Sequence, residues 1–207
     1  MKFKDKLKFY VITDSNYSDE VISVEESLKG GATSIQLRMK TSSTRKMIEV
    51  GNKLRKLTSE YDALFFVNDR LDVAQAVNAD GIHVGIDDMP VSKIKEIAPN
   101  LIIGASAYNL DEMKTAESEG ADYLGVGAVY STNTKLDARD LGINGLKNIS
   151  KIANLPIVAI GGINHSNVEN VLKCGVSGVA VVSAIVGAEN ILKSAENMNE
   201  LIKKYIK

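Results

Sequence analysis

Gly120-Ala121-Asp122-Tyr123-Leu124-Gly125-Val126-Gly127-Ala128-Val129-Tyr130-Ser131-Thr132-Asn133-Thr134-Lys135 carries, in order, a helix end, a strand and a polar loop. Glycine suits the left-handed residue that follows a helix. The run from Tyr123 to Tyr130 is wholly apolar and Gly-spaced, as a strand buried on both faces reads. It opens into hydroxyls, an amide and one ammonium, which together make a seat for an anion.

The entry into that strand recurs. Gly31-Ala32-Thr33-Ser34, Asn78-Ala79-Asp80-Gly81 and Gly175-Val176-Ser177-Gly178 also end a helix and enter a strand. Working outward, periodicity predicts strands over 9–13, 34–40, 63–69, 81–85, 101–106, 123–130, 156–162 and 178–184. The four boundaries precede alternate strands, the second, fourth, sixth and eighth. Amphipathic helical stretches fall between and after the strands at 19–28, 44–61, 71–77, 91–97, 110–119, 146–152, 166–173 and 190–206. Strand-helix alternation implies a parallel sheet, because parallel neighbours need crossover connections. Eight such units in 207 residues fit a single-domain (β/α)8 TIM barrel spanning 1–207 better than an open doubly wound sheet.

Composition agrees with one domain. The chain is 44% hydrophobic, enough for one buried core, and no Pro/Ser-rich, low-complexity or charge-block segment marks a boundary. Lys and Arg total 25 against 26 Asp and Glu, a net charge of −1, so no global basic field draws in nucleic acid and anion binding must be local. Cys174 is the one cysteine, which excludes a disulfide within the chain and suits a reducing compartment. It reads as a small packing residue and not as a nucleophile, since no base or activating cation can be placed beside it. The apolar run after the basic N-terminus is too short for a signal-peptide core, and no segment approaches the roughly 20 apolar residues that span a bilayer. The expectation is a cytoplasmic protein with no membrane contact, and a homo-oligomer is left open.

In a (β/α)8 barrel the active site lies at the C-terminal ends of the strands, and polar residues gather there. Alternation puts Gln36, Arg38 and Lys40 on one face and Ile35, Leu37 and Met39 on the other. Asn68-Asp69 follows the third strand and Asp87-Asp88 the fourth. Asp14, Asn68, Asp69, Asp87 and Asp88 each precede a helical run, so any one alone reads as a helix cap. Two acids on adjacent strand ends also suit Mg²⁺, which takes one or two carboxylates plus waters and phosphate oxygens; Asp69 with Asp87 or Asp88 supplies that. Gly161-Gly162 and Val182-Ser183 offer backbone N–H groups at the seventh and eighth strands, the usual phosphate position, although paired glycines also mark close packing. Arg38, Lys40 and Lys135 form a second anion locus across the mouth. Two anion sites and a metal point to two phosphorylated small-molecule substrates. His83 reads as a hydrogen-bonded barrel histidine, His165 as a surface-loop residue and the methionines as core filler.

Seven motifs in order, Gln36-Leu37-Arg38-Met39-Lys40, Val67-Asn68-Asp69-Arg70, Asp80-Gly81-Ile82-His83-Val84-Gly85 with Asp87-Asp88, Gly104-Ala105-Ser106, Gly125-Val126-Gly127 with Thr132-Asn133-Thr134-Lys135, Ile160-Gly161-Gly162-Ile163 and Val181-Val182-Ser183-Ala184-Ile185, resemble thiamine phosphate synthase over nearly the whole chain. The resemblance implies joining of a hydroxymethylpyrimidine diphosphate to a thiazole phosphate, giving thiamine phosphate and pyrophosphate. It assigns Gln36, Leu37, Arg38, Met39, Lys40, Asn68, Ser106 and Lys135 to the pyrimidine diphosphate. Of these, Arg38, Lys40, Ser106 and Lys135 are the catalytic set. It assigns Thr132, Asn133, Thr134, Gly162, Val182 and Ser183 to the thiazole phosphate, and Asp69 and Asp88 to Mg²⁺. The chain departs from the family at Ile86 (usually Gln), Met39 (usually Glu) and Tyr108 (usually His). Competing readings are a thiazole tautomerase-like isomerase on the same barrel and a non-catalytic barrel that binds thiamine phosphates. Retention of Arg38, Lys40, Asn68, Asp69, Asp88 and Lys135 argues against the first, and a carboxylate pair for metal argues against the second.

Overall fold

A computed structural model describes residues 3–132 and 140–206. Strands β1 (Phe9–Ile12), β2 (Ser34–Leu37), β3 (Leu64–Asn68), β4 (Gly81–Val84), β5 (Ile102–Ala107), β6 (Tyr123–Val126), β7 (Ile157–Ala159) and β8 (Gly178–Val181) pair in parallel in chain order, and β8 returns to β1 to close a barrel. Helices α1 (Glu20–Lys29), α2 (Thr44–Glu60), α3 (Leu71–Ala76), α4 (Val91–Ile97), α5 (Leu110–Glu119), α6 (Gly142–Ile152), α7 (Val168–Leu172), α8 (Ser183–Val186) and α9 (Ile191–Lys203) complete the described elements. This is the (β/α)8 architecture expected from the alternation.

Period-two alternation divides the core in two. Phe9, Val11, Ile35, Leu37, Phe65, Val67, Leu124 and Val126 join the large apolar cluster shared with the helices. The intervening Tyr10, Ile12, Leu64, Phe66, Tyr123, Val158 and Ala180 pack with Leu7 in a second cluster inside the barrel. Leu7 follows a short 3₁₀ turn (Phe3–Lys6), is fully buried, and closes the lower end; Ser34 Oγ donates to the Lys6 carbonyl at 2.7 Å beside it. The N-terminal segment is therefore a plug, a role its basic composition concealed.

The recurring helix-to-strand boundary has a physical function. Gly31, Asn78, Gly120 and Gly175 all take positive φ, at 98°, 51°, 94° and 81°. Two residues on, the N–H groups of Thr33, Asp80, Asp122 and Ser177 donate to the carbonyls of Phe9, Phe65, Ile103 and Ile157, at 2.7 to 2.9 Å. At three of the four, the side chain accepts in return: Phe9 N–H on Thr33 Oγ1 (3.1 Å), Phe65 N–H on Asp80 Oδ2 (2.7 Å) and Ile103 N–H on Asp122 Oδ2 (2.8 Å). Each staple ties the start of an odd strand to the entrance of the next even one. Arg55 and Lys95 pair with Asp80 and Asp122, both at 2.8 Å. Asp80→Ala leaves the N–H of the fully buried Phe65 without this acceptor. The expected cost is ~1–3 kcal/mol, a melting temperature lower by several degrees in a thermal denaturation scan, with catalytic constants unchanged.

Seven of the eight strands end earlier at the C-terminal side than the sequence suggests, whereas β5 runs one residue further, to Ala107. Arg38 N–H donates to Thr13 Oγ1 at 3.0 Å instead of continuing the ladder, so β2 stops at Leu37 and not at residue 40. The run 123–130 is a strand only to Val126; Val129 and Tyr130 instead donate to the Ile160 and Gly161 carbonyls, both at 3.0 Å. Ala128 and Val129 are still buried, so the apolar run recorded burial and not strand. β7 stops before Gly161 and Gly162, which take φ of 103° and 61°. The expected strand 178–184 turns at Val182 into the short α8, because a fully apolar run has no period to separate strand from buried helix. These early ends place the polar residues on the rim of the barrel.

Candidate active site

One pocket occupies the C-terminal mouth. Gln36, Arg38, Lys40, Asn68, Asp69, Asp88 and Ser106 line it, as do Thr132, Gly162, Val182 and Ser183. Residues from β2, β3, β5, the β6 and β7 loops and α8 thus converge, although they are spread over most of the chain. Leu37 and Met39 are not among the lining residues; both are buried in the outer cluster, as the alternation predicts for them. Asn133, Thr134 and Lys135 lie outside the described residues. Of the departures, Tyr108 lines the pocket, whereas Ile86 is exposed and does not.

The acids separate by environment. Asp14 accepts from Asn16 N–H (3.0 Å) and Asn16 Nδ2 (2.8 Å), so it organises its own turn. Asp87 is exposed. Asp69 and Asp88 both face the pocket, and neither caps a helix: the caps of α3 and α4 are Arg70 and Pro90. Asp88 Oδ2 accepts from Gly85 N–H at 2.8 Å. Asp69 takes a left-handed φ of 60°, which aspartate tolerates, and its N–H donates to the His83 carbonyl at 2.9 Å. Its carboxylate meets Lys40 Nζ at 2.5 Å. Even so, burial holds its pKa above the ordinary carboxylate value, and the neighbouring Asp88 charge adds to the rise while Lys40 opposes it. Two carboxylates with incompletely relieved repulsion suit a hard divalent cation that also takes substrate oxygens. Among the described residues no group of three or more His, Cys, Asp or Glu side chains forms a metal cage.

The floor of the pocket contains residues that sequence reasoning did not assign to the site. Tyr10 and Tyr123 are inward-facing positions of β1 and β6, with hydroxyls 3.0 Å apart. Gln36 Nε2 lies 3.0 Å from the Tyr10 hydroxyl, His83 Nδ1 3.1 Å from the Tyr123 hydroxyl, and His83 Nε2 3.1 Å from Ser106 Oγ. His83 is thus a hydrogen-bonded barrel residue, as expected, but one that also lines the pocket. The available signal was Gly104 and Gly125 on the two neighbouring strands. A Cβ at Gly104 would stand 2.1 Å from Tyr123 Cζ and 2.5 Å from His83 Nδ1, so these glycines make room for the two rings. His165 is occupied elsewhere, with Nε2 2.9 Å from the Ser194 carbonyl. Burial raises the Cys174 thiol pKa, consistent with a packing residue.

The family model described as thiamine monophosphate synthase matches residues 9–185. The chain is 94% identical over 207 residues to thiamine-phosphate synthase of Methanococcus maripaludis strain C6, and 56% identical over 206 residues to that of Pyrococcus abyssi; each alignment covers 100% of both chains. The solved thiamine phosphate pyrophosphorylase from Pyrococcus furiosus superposes with a TM-score of 0.96 at 53% identity, covering 100% of both chains.

Proposed function

The chain belongs to the thiamine phosphate synthase family and is a transferase of that type, and from this premise we propose how its residues divide the work. One observation carries the division: the cations Arg38 and Lys40, the acids Asp69 and Asp88, and Ser106 meet in one pocket with Gly162, Val182 and Ser183. The first group, with Gln36, Asn68 and Lys135, holds 4-amino-2-methyl-5-hydroxymethylpyrimidine diphosphate. The second, with Thr132, Asn133 and Thr134, holds the thiazole phosphate. Leu37 and Met39 are left out of the first site, since neither lines the pocket and both side chains are in the outer core. Asp69 and Asp88 would hold Mg²⁺, which when bound supplies charge to neutralise the diphosphate.

The carbon–oxygen bond between the pyrimidine methylene and the diphosphate breaks, and pyrophosphate leaves with the electron pair. Arg38, Lys40 and Lys135 stabilise the charge that develops on it. The aminopyrimidine ring spreads the positive charge left on the methylene, and the thiazole nitrogen lone pair forms the new carbon–nitrogen bond. No protein nucleophile is required, which accounts for the lack of a Ser-His-Asp or Cys-His arrangement in the assigned set. The buried pocket surface, with Ile12, Ile160 and Ile163, limits water access to the reactive carbon.

The setting proposed is cytoplasmic; among the described residues no helix is long and apolar enough to cross a membrane. Incubation of the purified chain with both substrates and Mg²⁺ is expected to yield thiamine phosphate and pyrophosphate, read by mass spectrometry. Isomerisation of a thiazole carboxylate phosphate without any pyrimidine diphosphate would instead favour the tautomerase. The division into two sites has its own test. Ser183→Ala removes a hydroxyl at the mouth and is expected to raise KM for the thiazole phosphate about three- to tenfold while leaving that for the diphosphate unchanged. Equal effects on the two substrates would refute the partition.

A further inference from the structure

We propose that Gln36, Tyr10, Tyr123, His83 and Ser106 form a polarised hydrogen-bond relay across the pocket floor, which fixes Ser106 as a donor to substrate and leaves the Gln36 carbonyl as an acceptor. Tyr10, Tyr123 and His83 are then positioning residues. The substrate half of this inference rests on the assignment above, whereas the relay itself does not.

The direction follows from counting hydrogens. Gln36 Nε2 can only donate, and it does so to Tyr10 Oη at 3.0 Å. Tyr10 has a single hydroxyl hydrogen, and its other partner is Tyr123 Oη at 3.0 Å, so the hydrogen goes there. Tyr123 has in turn one hydrogen left for His83 Nδ1 at 3.1 Å. Nδ1 must then carry the lone pair and Nε2 the hydrogen, which is donated to Ser106 Oγ at 3.1 Å. The serine hydroxyl, having accepted, turns its own hydrogen to the pocket.

Two conditions keep the direction fixed. Both phenols are fully enclosed, and burial raises the pKa of each well above the ordinary tyrosine value, so each keeps its one hydrogen. The rings are also held in place: Tyr10 stacks on Phe66 at 5.3 Å between centroids, and Phe66 meets Tyr123 edge-on at 5.4 Å. Reversal needs the Gln36 amide to present its oxygen to Tyr10. The ligand matched by this floor carries an acceptor for Ser106 and an amine hydrogen for Gln36. An aminopyrimidine has both, and its oxo counterpart has donor and acceptor interchanged.

The test reads the histidine tautomer in the full chain without substrate, by long-range ¹H–¹⁵N correlation with ¹⁵N-labelled histidine. The chain has 2 histidines, so His165→Gln assigns the spectrum. The wild type is expected to show His83 with hydrogen on Nε2. Gln36→Glu, recorded at a pH where the new carboxyl is ionised, can only accept from Tyr10, so every link reverses and His83 is expected to switch to Nδ1–H, although the substitution does not touch it. Hydrogen on Nδ1 in the wild type, or the same tautomer in both folded proteins, overturns the relay. Should Gln36→Glu fail to fold, Tyr123→Phe severs the middle link: it is expected to lose the fixed tautomer and about tenfold in kcat, the scale of one misdirected hydrogen bond. A single Nε2–H tautomer retained in that variant overturns the relay equally. Because no substrate is present in the spectrum, failure here is distinct from failure to form thiamine phosphate.

Discussion

Asp69→Asn is expected to abolish at least about 99% of turnover while leaving the barrel as stable as before, or more so. The loss follows because an amide supplies no charge to a metal ion or to the cation cluster around the leaving diphosphate, where removal of one aligned group typically costs about 10²–10³ in rate. The gain in stability has a definite sign. Burial and Asp88 raise the Asp69 pKa in the folded chain above its unfolded value near ~3.9. A group raised in this way costs stability at pH above the raised value, where it is ionised in both states. The cost disappears below the unfolded value, where it is neutral in both. Asparagine removes the cost and tolerates the left-handed backbone at this position. Calorimetry of the metal-free proteins should therefore show Asp69→Asn melting at or above the wild type near neutrality and level with it in acid. A variant that melts lower near neutrality, or that turns over normally at limiting Mg²⁺, would show that Asp69 is structural.

Arg38→Gln is expected to reduce kcat by about 10²–10³ with little change in melting temperature. Among the described residues the Arg38 guanidinium has no ion pair, and it lines the pocket, so the fold does not depend on it. Its planar fork suits two phosphate oxygens at once, and an amide keeps some length but neither the charge nor the fork. Arg38→Lys should fall between the two, since it restores charge without bidentate geometry. Pyrophosphate release followed by a coupled assay separates the three proteins. If Arg38→Gln raised KM for the diphosphate and left kcat intact, the residue would bind the ground state only and would not stabilise the departing group.

The parts of this architecture that were legible in the sequence are those that rest on local rules. The helix-to-strand boundaries depend on left-handed residues and could be read one by one at Gly31, Asn78, Gly120 and Gly175. Met39 and Leu37 could be assigned to the outer face from period two alone. Strand ends were less legible: 123–130 and 178–184 are apolar throughout, and burial in a loop or a short helix leaves the same trace as burial in a strand. Residue chemistry alone left Asp87 and Asp88 both open and only the family resemblance chose between them, since a turn decides which carboxylate points inward; Asp88 lines the pocket and Asp87 is exposed. Tyr10 and Tyr123 were missed for a different reason. Their role arises from contact between β1 and β6, whose tyrosines lie 113 positions apart in sequence, and no spacing rule reports that contact.

The four staples described above lie at the starts of the strands, whereas the pocket lies at their ends. A strand advances about 3.3 Å per residue, so the four or so residues between these levels set them roughly 13 Å apart. The molecule therefore has a foundation and a workbench that can be altered independently. Changes to Arg55 with Asp80, or to Lys95 with Asp122, should tune heat resistance over several degrees without disturbing chemistry. A lineage moving between warm and cold habitats could adapt at one end of its barrel while keeping the other intact.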